Sequence, residues 1–120
     1  MLKPIPRQIL SQTMVLHVPT SCDSDYNVQY QNYVVNRVHL QDDRAILKQD
    51  DNTEVQRRGI LFIDSRLSAP RLDYIKLEHD ANSIGANLRC TIDGYNYEIL
   101  AVDAVPDDHG HTHHYEVSVV

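Results

Sequence analysis

One short stretch constrains the fold more than any other. Leu88, Cys90 and Ile92 alternate with Asn87, Arg89 and Thr91, Asp93-Gly94 intervenes, and Tyr95, Tyr97, Ile99 and Ala101 then alternate with Asn96 and Glu98. Successive side chains of a strand point to opposite faces, so each run gathers its apolar groups on one side. Asp-Gly supplies two residues that tolerate positive φ, which a two-residue hairpin requires. Pro106–Gly110 provides a second turn, after which Tyr115, Val117 and Val119 alternate with His114, Glu116 and Ser118. The last third of the chain therefore predicts three antiparallel strands in a meander.

The preceding residues extend this pattern. Thr13–Val18 reads as a half-buried strand with Met14, Leu16 and Val18 on one face, stopped by Pro19, and Thr20–Asn27 reads as a loop. Val28–Gln41 is the longest strand candidate. Its Tyr33-Val34-Val35 is apolar on both faces, which implies a second covering surface such as a neighbouring subunit. Residues 42–56 form a charged loop or hairpin tip with a turn at Asp51-Asn52. Gly59–Ile63 is continuously apolar and reads as a central, fully buried strand, with Ser65–Leu72 a connector. Asp73–His79 predicts a further strand and Asp80–Gly85 a polar turn. Residues 1–12 form an arm, with one helical turn over Pro6–Ser11 that lays Ile5, Ile9 and Leu10 on the core edge. The expectation is one all-β domain over residues 1–120, a small antiparallel β-barrel or sandwich of six to seven strands.

Charge and motif content narrow the function. The 120 residues hold 11 Lys+Arg against 17 Asp+Glu, a net charge of −6, which excludes a protein whose main task is to grip nucleic acid through its phosphates. No apolar stretch is long enough to cross a membrane as a helix, and the opening residues lack the apolar core of a secretion signal. Cys22 and Cys90 lack C-x-x-C spacing and read as plain thiols of a reducing cytosol. Four glycines, Gly59, Gly85, Gly94 and Gly110, cannot build a glycine-rich phosphate cradle, and no nucleophile-elbow or zinc-protease signature occurs. No enzymatic activity and no cofactor are expected.

Two clusters carry chemical colour. His109 and His111 with Glu116 imitate the H-x-H…E spacing of cupins, the metal-binding barrel enzymes, and imidazoles two apart on an extended segment share a face. The glycine that opens the cupin motif is absent, no second metal box lies upstream, and the segment falls in the last strand. A plain hairpin turn is the preferred reading, with a cupin-like metalloenzyme as the alternative. Arg57 and Arg58, with Arg66 and Arg71, bracket the buried run and are candidates for pairing with acidic groups on a partner subunit, against the plainer role of solvated flanking charges. Asp50 and Asp51 stand in the acidic excursion expected to face a channel or partner.

Several segments resemble one family. Lys3-Pro4-Ile5-Pro6-Arg7-Gln8-Ile9-Leu10 is similar to the K-P-I-P-K/R-x-L-L opening of tailed-phage minor capsid proteins of the head-completion type. Ile60–Arg71 resembles that family's L-L-F-x-D-x-x-x-S-x-P, and Thr91–Pro106 resembles its F-N-G-K-x-Y-x-I-x-x-V-x-P. His113-His114-Tyr115-Glu116-Val117 resembles the closing L-H-H-Y-E-V. Glu78–Ala86 departs from the pattern, standing where the family commonly carries G-D.

The resemblance implies a structural protein of the virion neck, similar to head-closure (stopper) proteins. These small barrels form a ring beneath the portal and adaptor, retain packaged DNA without reading its sequence, and dock the tail. The implied partners are further copies of the chain, portal, adaptor and tail proteins, with no membrane. The candidate interface residues are Tyr33, Val35, Asp50, Asp51, Arg57, Arg58, Tyr115, Val117 and Val119. Either the terminal strand Tyr115–Val120 or Val28–Tyr33 is expected to add to a neighbour's sheet.

Overall fold

Strands that alternate in polarity must find a common interior, and here they find it by closing on themselves. The computed structural model describes residues 8–25, 27–43, 46–48 and 54–120. Its elements are β1 (Gln12–Cys22), β2 (Val28–Asp42), β3 (Ile46–Lys48), β4 (Glu54–Gln56), β5 (Gly59–Asp64), α1 (Tyr74–Ser83), β6 (Arg89–Ile92), β7 (Tyr95–Pro106) and β8 (Thr112–Val119). Six strands form a closed barrel in the order β1-β2-β5-β8-β7-β6, every neighbouring pair antiparallel. β3 and β4 pair apart as a two-stranded hairpin between β2 and β5. The all-β barrel expected from the sequence is the observed fold.

The Asp93-Gly94 hairpin forms as expected, with φ of 52° and 83° at its two turn residues and Ile92 opposite Tyr95. The barrel is filled by its own side chains. Met14, Leu16, Val35, Val38, Leu61, Ile63, Cys90, Ile92, Val117 and Val119 are each 2% exposed or less. Six strands leave an interior only wide enough for side chains. Burial pushes the Cys90 thiol up to about 12, so it serves as a small apolar filler.

Several boundaries differ from the expectation. Pro19 does not stop β1, which continues to Cys22. Pro19 lies opposite Tyr30, and the register shifts between Pro19 and Ser21. The loop is shorter in consequence, Asp23 Oδ1 accepting from the N–H groups of Asp25 and Asn27 at 2.9 Å each. β5 is not buried on both faces: Gly59, Leu61 and Ile63 face inward, while Ile60 and Phe62 are half-buried. Phe62 sits between His39 and His114, with ring centroids 6.2 and 6.1 Å away. Leu100 is an extra residue in β7, so the inward position after Ile99 is Val102 and not Ala101. At the N-terminus Gln8 and Ile9 form a turn and Leu10 is buried, while Ile9 is exposed. The expected Ile5 contact and Pro6 start lie outside the described residues.

The strand expected at Asp73–His79 is the first part of helix α1. Asp73 caps it, its carboxylate accepting from the Lys76 N–H at 3.2 Å. Tyr74, Leu77 and Ala81 stand three and four residues apart and form its inward stripe. The end closes as a Schellman motif, with Ala86 N–H donating to Ala81 C=O, Gly85 N–H donating to Asn82 C=O, and Gly85 at φ 78°. The helix packs on β7 and β1, where burial pushes the Glu78 carboxyl up against the opposing pull of the Val102 N–H.

β2 must pair with β1 along most of its length and with β5 at its end. The change of partner occurs at Arg37, which takes φ 61° and stands where the β1–β2 register shifts. A clamp holds this bulge. Ser68 Oγ donates to Arg37 C=O and accepts from Asp64 N–H, while Asp64 Oδ1 accepts from Arg66 and Leu67 N–H groups at 2.8 and 2.9 Å. Asn36 and Ala69 exchange backbone hydrogen bonds beside it. The D-x-x-x-S spacing is thus a folding device.

Two substitutions test this packing. A Cβ on Gly59 would stand 2.7 Å from the Gln41 carbonyl oxygen, so Gly59→Ala is expected to lose about 1–3 kcal/mol in chemical denaturation. The buried Tyr74 hydroxyl has no hydrogen-bond partner among the described residues. Tyr74→Phe keeps the edge-on contact with Tyr115, centroids 5.0 Å apart, and is expected to hold or raise the melting temperature.

Candidate interaction surface

The structure places the expected interface residues in two classes. Val35, Tyr115, Val117 and Val119 are core, each 9% exposed or less, and offer nothing to a partner. The expectation that the terminal strand is a free edge is corrected. β8 lies inside the wall, paired with β5 from Gly59↔Val119 to Asp64↔His114 and with β7 from Ile99↔Val119 to Pro106↔Thr112. Removing Val117–Val120 would therefore open the barrel. Tyr33 is half-buried against the core, and Val34, 59% exposed, points outward, so within one chain only one face of Tyr33-Val34-Val35 is covered.

Arg57 is a staple. Its Nη2 and Nε bind Asp43 Oδ1 and C=O at 3.0 and 3.2 Å, and its Nη1 reaches Ser118 Oγ at 3.5 Å. It ties the base of the β3–β4 hairpin to the wall. Arg58 is exposed beside it, its N–H donating to Val119 C=O. Asp50 and Asp51 lie outside the described residues.

The histidine segment is not gathered into a metal site. Asp107 Oδ1 accepts from His109 and His111 N–H groups at 2.8 and 3.0 Å, and these bonds, the one from His109 foremost, hold its carboxyl below the usual range. His109 and His111 are exposed on this turn, whereas Glu116 lies out along β8, 3.8 Å from His114 Nε2. Among the described residues no three His, Cys, Asp or Glu side chains stand together as a metal would need.

A continuous polar ladder crosses the outer face of β2, β1, β6 and β7. Thr91 Oγ1 donates to Asn96 Oδ1 at 2.7 Å and lies 2.9 Å from His17 Nε2. His17 Nδ1 lies 2.7 Å from Asn32 Oδ1. Thr13 and Asn36 add a contact at 3.2 Å, and Gln12 with Asp93 another at 3.0 Å. Alongside lie two shallow depressions, of about 830 and 640 Å3, which share Arg58, Tyr97 and Val120. Tyr95, 69% exposed, borders the first. His17, Tyr30 and Arg89 border the second. Asp42 and Glu98 offset the guanidinium groups, so the surface is mixed in charge and suits a protein partner better than an anion.

Tyr95, Arg89 and His17 are not among the candidates that the sequence singles out, whereas Tyr30 and Val34 fall within the segments Val28–Tyr33 and Tyr33-Val34-Val35 that it does. Tyr30 and Val34 share a parity in the uncharged run Val28–Asn36, and that is the available signal. Comparison with family models, with curated proteins and with solved structures finds no match.

The paired histidines make a testable electrostatic feature. His113 Nδ1 and His114 Nδ1 lie 2.8 Å apart, close enough to share one proton and too close to hold two. Burial first, and His113 second, push the His114 pKa below its usual 6.5, against the opposing pull of Glu116. The unfolded chain therefore takes up this proton at higher pH than the folded one. Stability from this group is complete above the ordinary imidazole range and is lost as pH falls below it. Denaturation midpoints on either side of that range are expected to drop on acidification, and His114→Gln is expected to flatten the drop.

Proposed function

We propose that the protein is a structural component of a tailed-phage neck, a head-closure or head–tail connector protein. It works as a ring of copies beneath the portal and adaptor, retains packaged DNA and docks the tail. The observation that carries this reading is the order of four segments, opening at Lys3 and closing at Val117, that resemble the head-completion minor capsid proteins. Two of these segments have clear structural tasks: Asp64 and Ser68 clamp the β2 bulge, and His113–Val117 forms an inner stave of the barrel.

The physical character of the chain agrees with such a task. The barrel interior is packed with side chains, so no channel runs through one subunit, and a duplex would pass between copies arranged in a ring. In that arrangement the charged excursion 42–56 faces the lumen, where acidic groups repel phosphate and let DNA slide. Ring contacts are heterologous, one patch meeting a different patch on the neighbour. The mixed face around Arg58, Arg89, Tyr95 and Tyr30 offers one of these patches.

Disrupting the gene in the phage or prophage genome that carries it is expected to yield heads that package DNA, lose it and lack tails under the electron microscope. Complementation with the intact gene restores tailed particles. Tailed, infectious particles from the disrupted genome contradict the proposal.

A further inference from the structure

Closure removes most sheet edges from this molecule, but it leaves one stretch of β2 unpaired. β2 bonds to β5 only over Val38–Asp42, and Asn36 to Ala69. From Val28 to Val35 its second edge has no strand beside it among the described residues. Asn36 exchanges backbone bonds with Ala69, so its N–H and C=O point away from β1. By the alternation of an antiparallel strand, those of Val34, Asn32 and Tyr30 point the same way. The opposite edge of this ribbon, on β1, is blunted by Pro19, which has no N–H to give.

The open edge also lacks the usual guards against pairing. Val28–Asn36 contains no charge and no proline, in a chain where 23% of residues are charged. Two molecules of net charge −6 repel each other, and an uncharged strand is where they approach at least cost. Tyr30 and Val34, 41% and 59% exposed, lie on one face of it with Asn32 between them.

We infer that the free edge of β2 pairs with the same edge of a second copy, antiparallel about a two-fold axis at Asn32. This register places each Tyr30 across from the partner's Val34, an aromatic–β-branched pair of the kind that stabilises sheets, and Asn32 across from Asn32. All three outward residues find backbone partners on the other copy. The Asn36–Ala69 bridge occupies the next outward residue and limits the pairing to Tyr30–Val34, which the two-fold arrangement fits. The contact is isologous, a dimer that closes on itself and leaves no further β2 edge to extend. The inference rests on the edge alone and not on the neck reading.

Sedimentation equilibrium of the full chain at micromolar concentrations is expected to show a dimer. Val34→Lys, at an exposed site, places two like charges in the paired edge and is expected to weaken association on the order of tenfold or more with an unchanged circular-dichroism spectrum. Amide exchange supplies a readout that needs no variant: the Tyr30, Asn32 and Val34 N–H groups gain protection as protein concentration rises. A wild-type monomer with fast exchange at these amides overturns the inference. So does an assembly, ring or dimer, whose size and β2 exchange are indifferent to Val34→Lys, and that result leaves the neck reading intact.

Discussion

The backbone at Arg37 decides whether these strands form a barrel or remain an open sheet. β2 spans 15 residues and serves two partners, β1 along its length and β5 at its end. A straight strand cannot bend from one to the other, and the extra residue at φ 61° supplies the bend. A non-glycine side chain in that conformation costs about 1–2 kcal/mol, which the surroundings must offset. Ser68 does so by taking up the Arg37 carbonyl while bonding to Asp64 N–H, and Asp64 in turn caps the following turn. With that corner fixed, β5 lies against β8, and β8 against β7, around a single apolar interior.

Closing the wall determines which surfaces remain for other molecules. β8 has a neighbour on each side, so its Tyr115, Val117 and Val119 serve cohesion and not contact. α1 packs against β7. The β1–β2 ribbon reaches beyond β5 and β6 and carries a long unpaired edge on β2. That ribbon offers an open edge to assembly by strand pairing. A duplex-retaining ring would have to be built from such surface features, because the barrel itself has no lumen.

Much of the wall is legible in the sequence because its signals are local. Asp93-Gly94 dictates its own hairpin, and the alternation of Tyr115, Val117 and Val119 gives the correct inward parity. Whether that parity faces core or partner depends on β5 and β7, which lie far away in sequence, so the pattern alone suits an interface equally well. Nothing in Asn36-Arg37-Val38 announces a left-handed residue, since neither glycine nor asparagine occupies the site. Helix α1 has its brackets, Asp73 before it and Gly85 after it, but its few apolar residues fit a period of two almost as readily as the true period of 3.6. The exposed pair Tyr30 and Val34 is hidden for a related reason: burial on two faces and exposure on one look alike in a run of apolar residues.

The dependence of the barrel on the bend in β2 is tested most directly by comparing Arg37→Gly with Arg37→Val in equilibrium denaturation. Glycine enters the left-handed region freely, while a β-branched side chain is disfavoured there and prefers the straight strand. Arg37→Gly is expected to match or exceed the parent in stability, and Arg37→Val to fall about 1–3 kcal/mol below it. Equal stability of the two variants, or greater stability of Arg37→Val, would mean that the barrel closes without this corner.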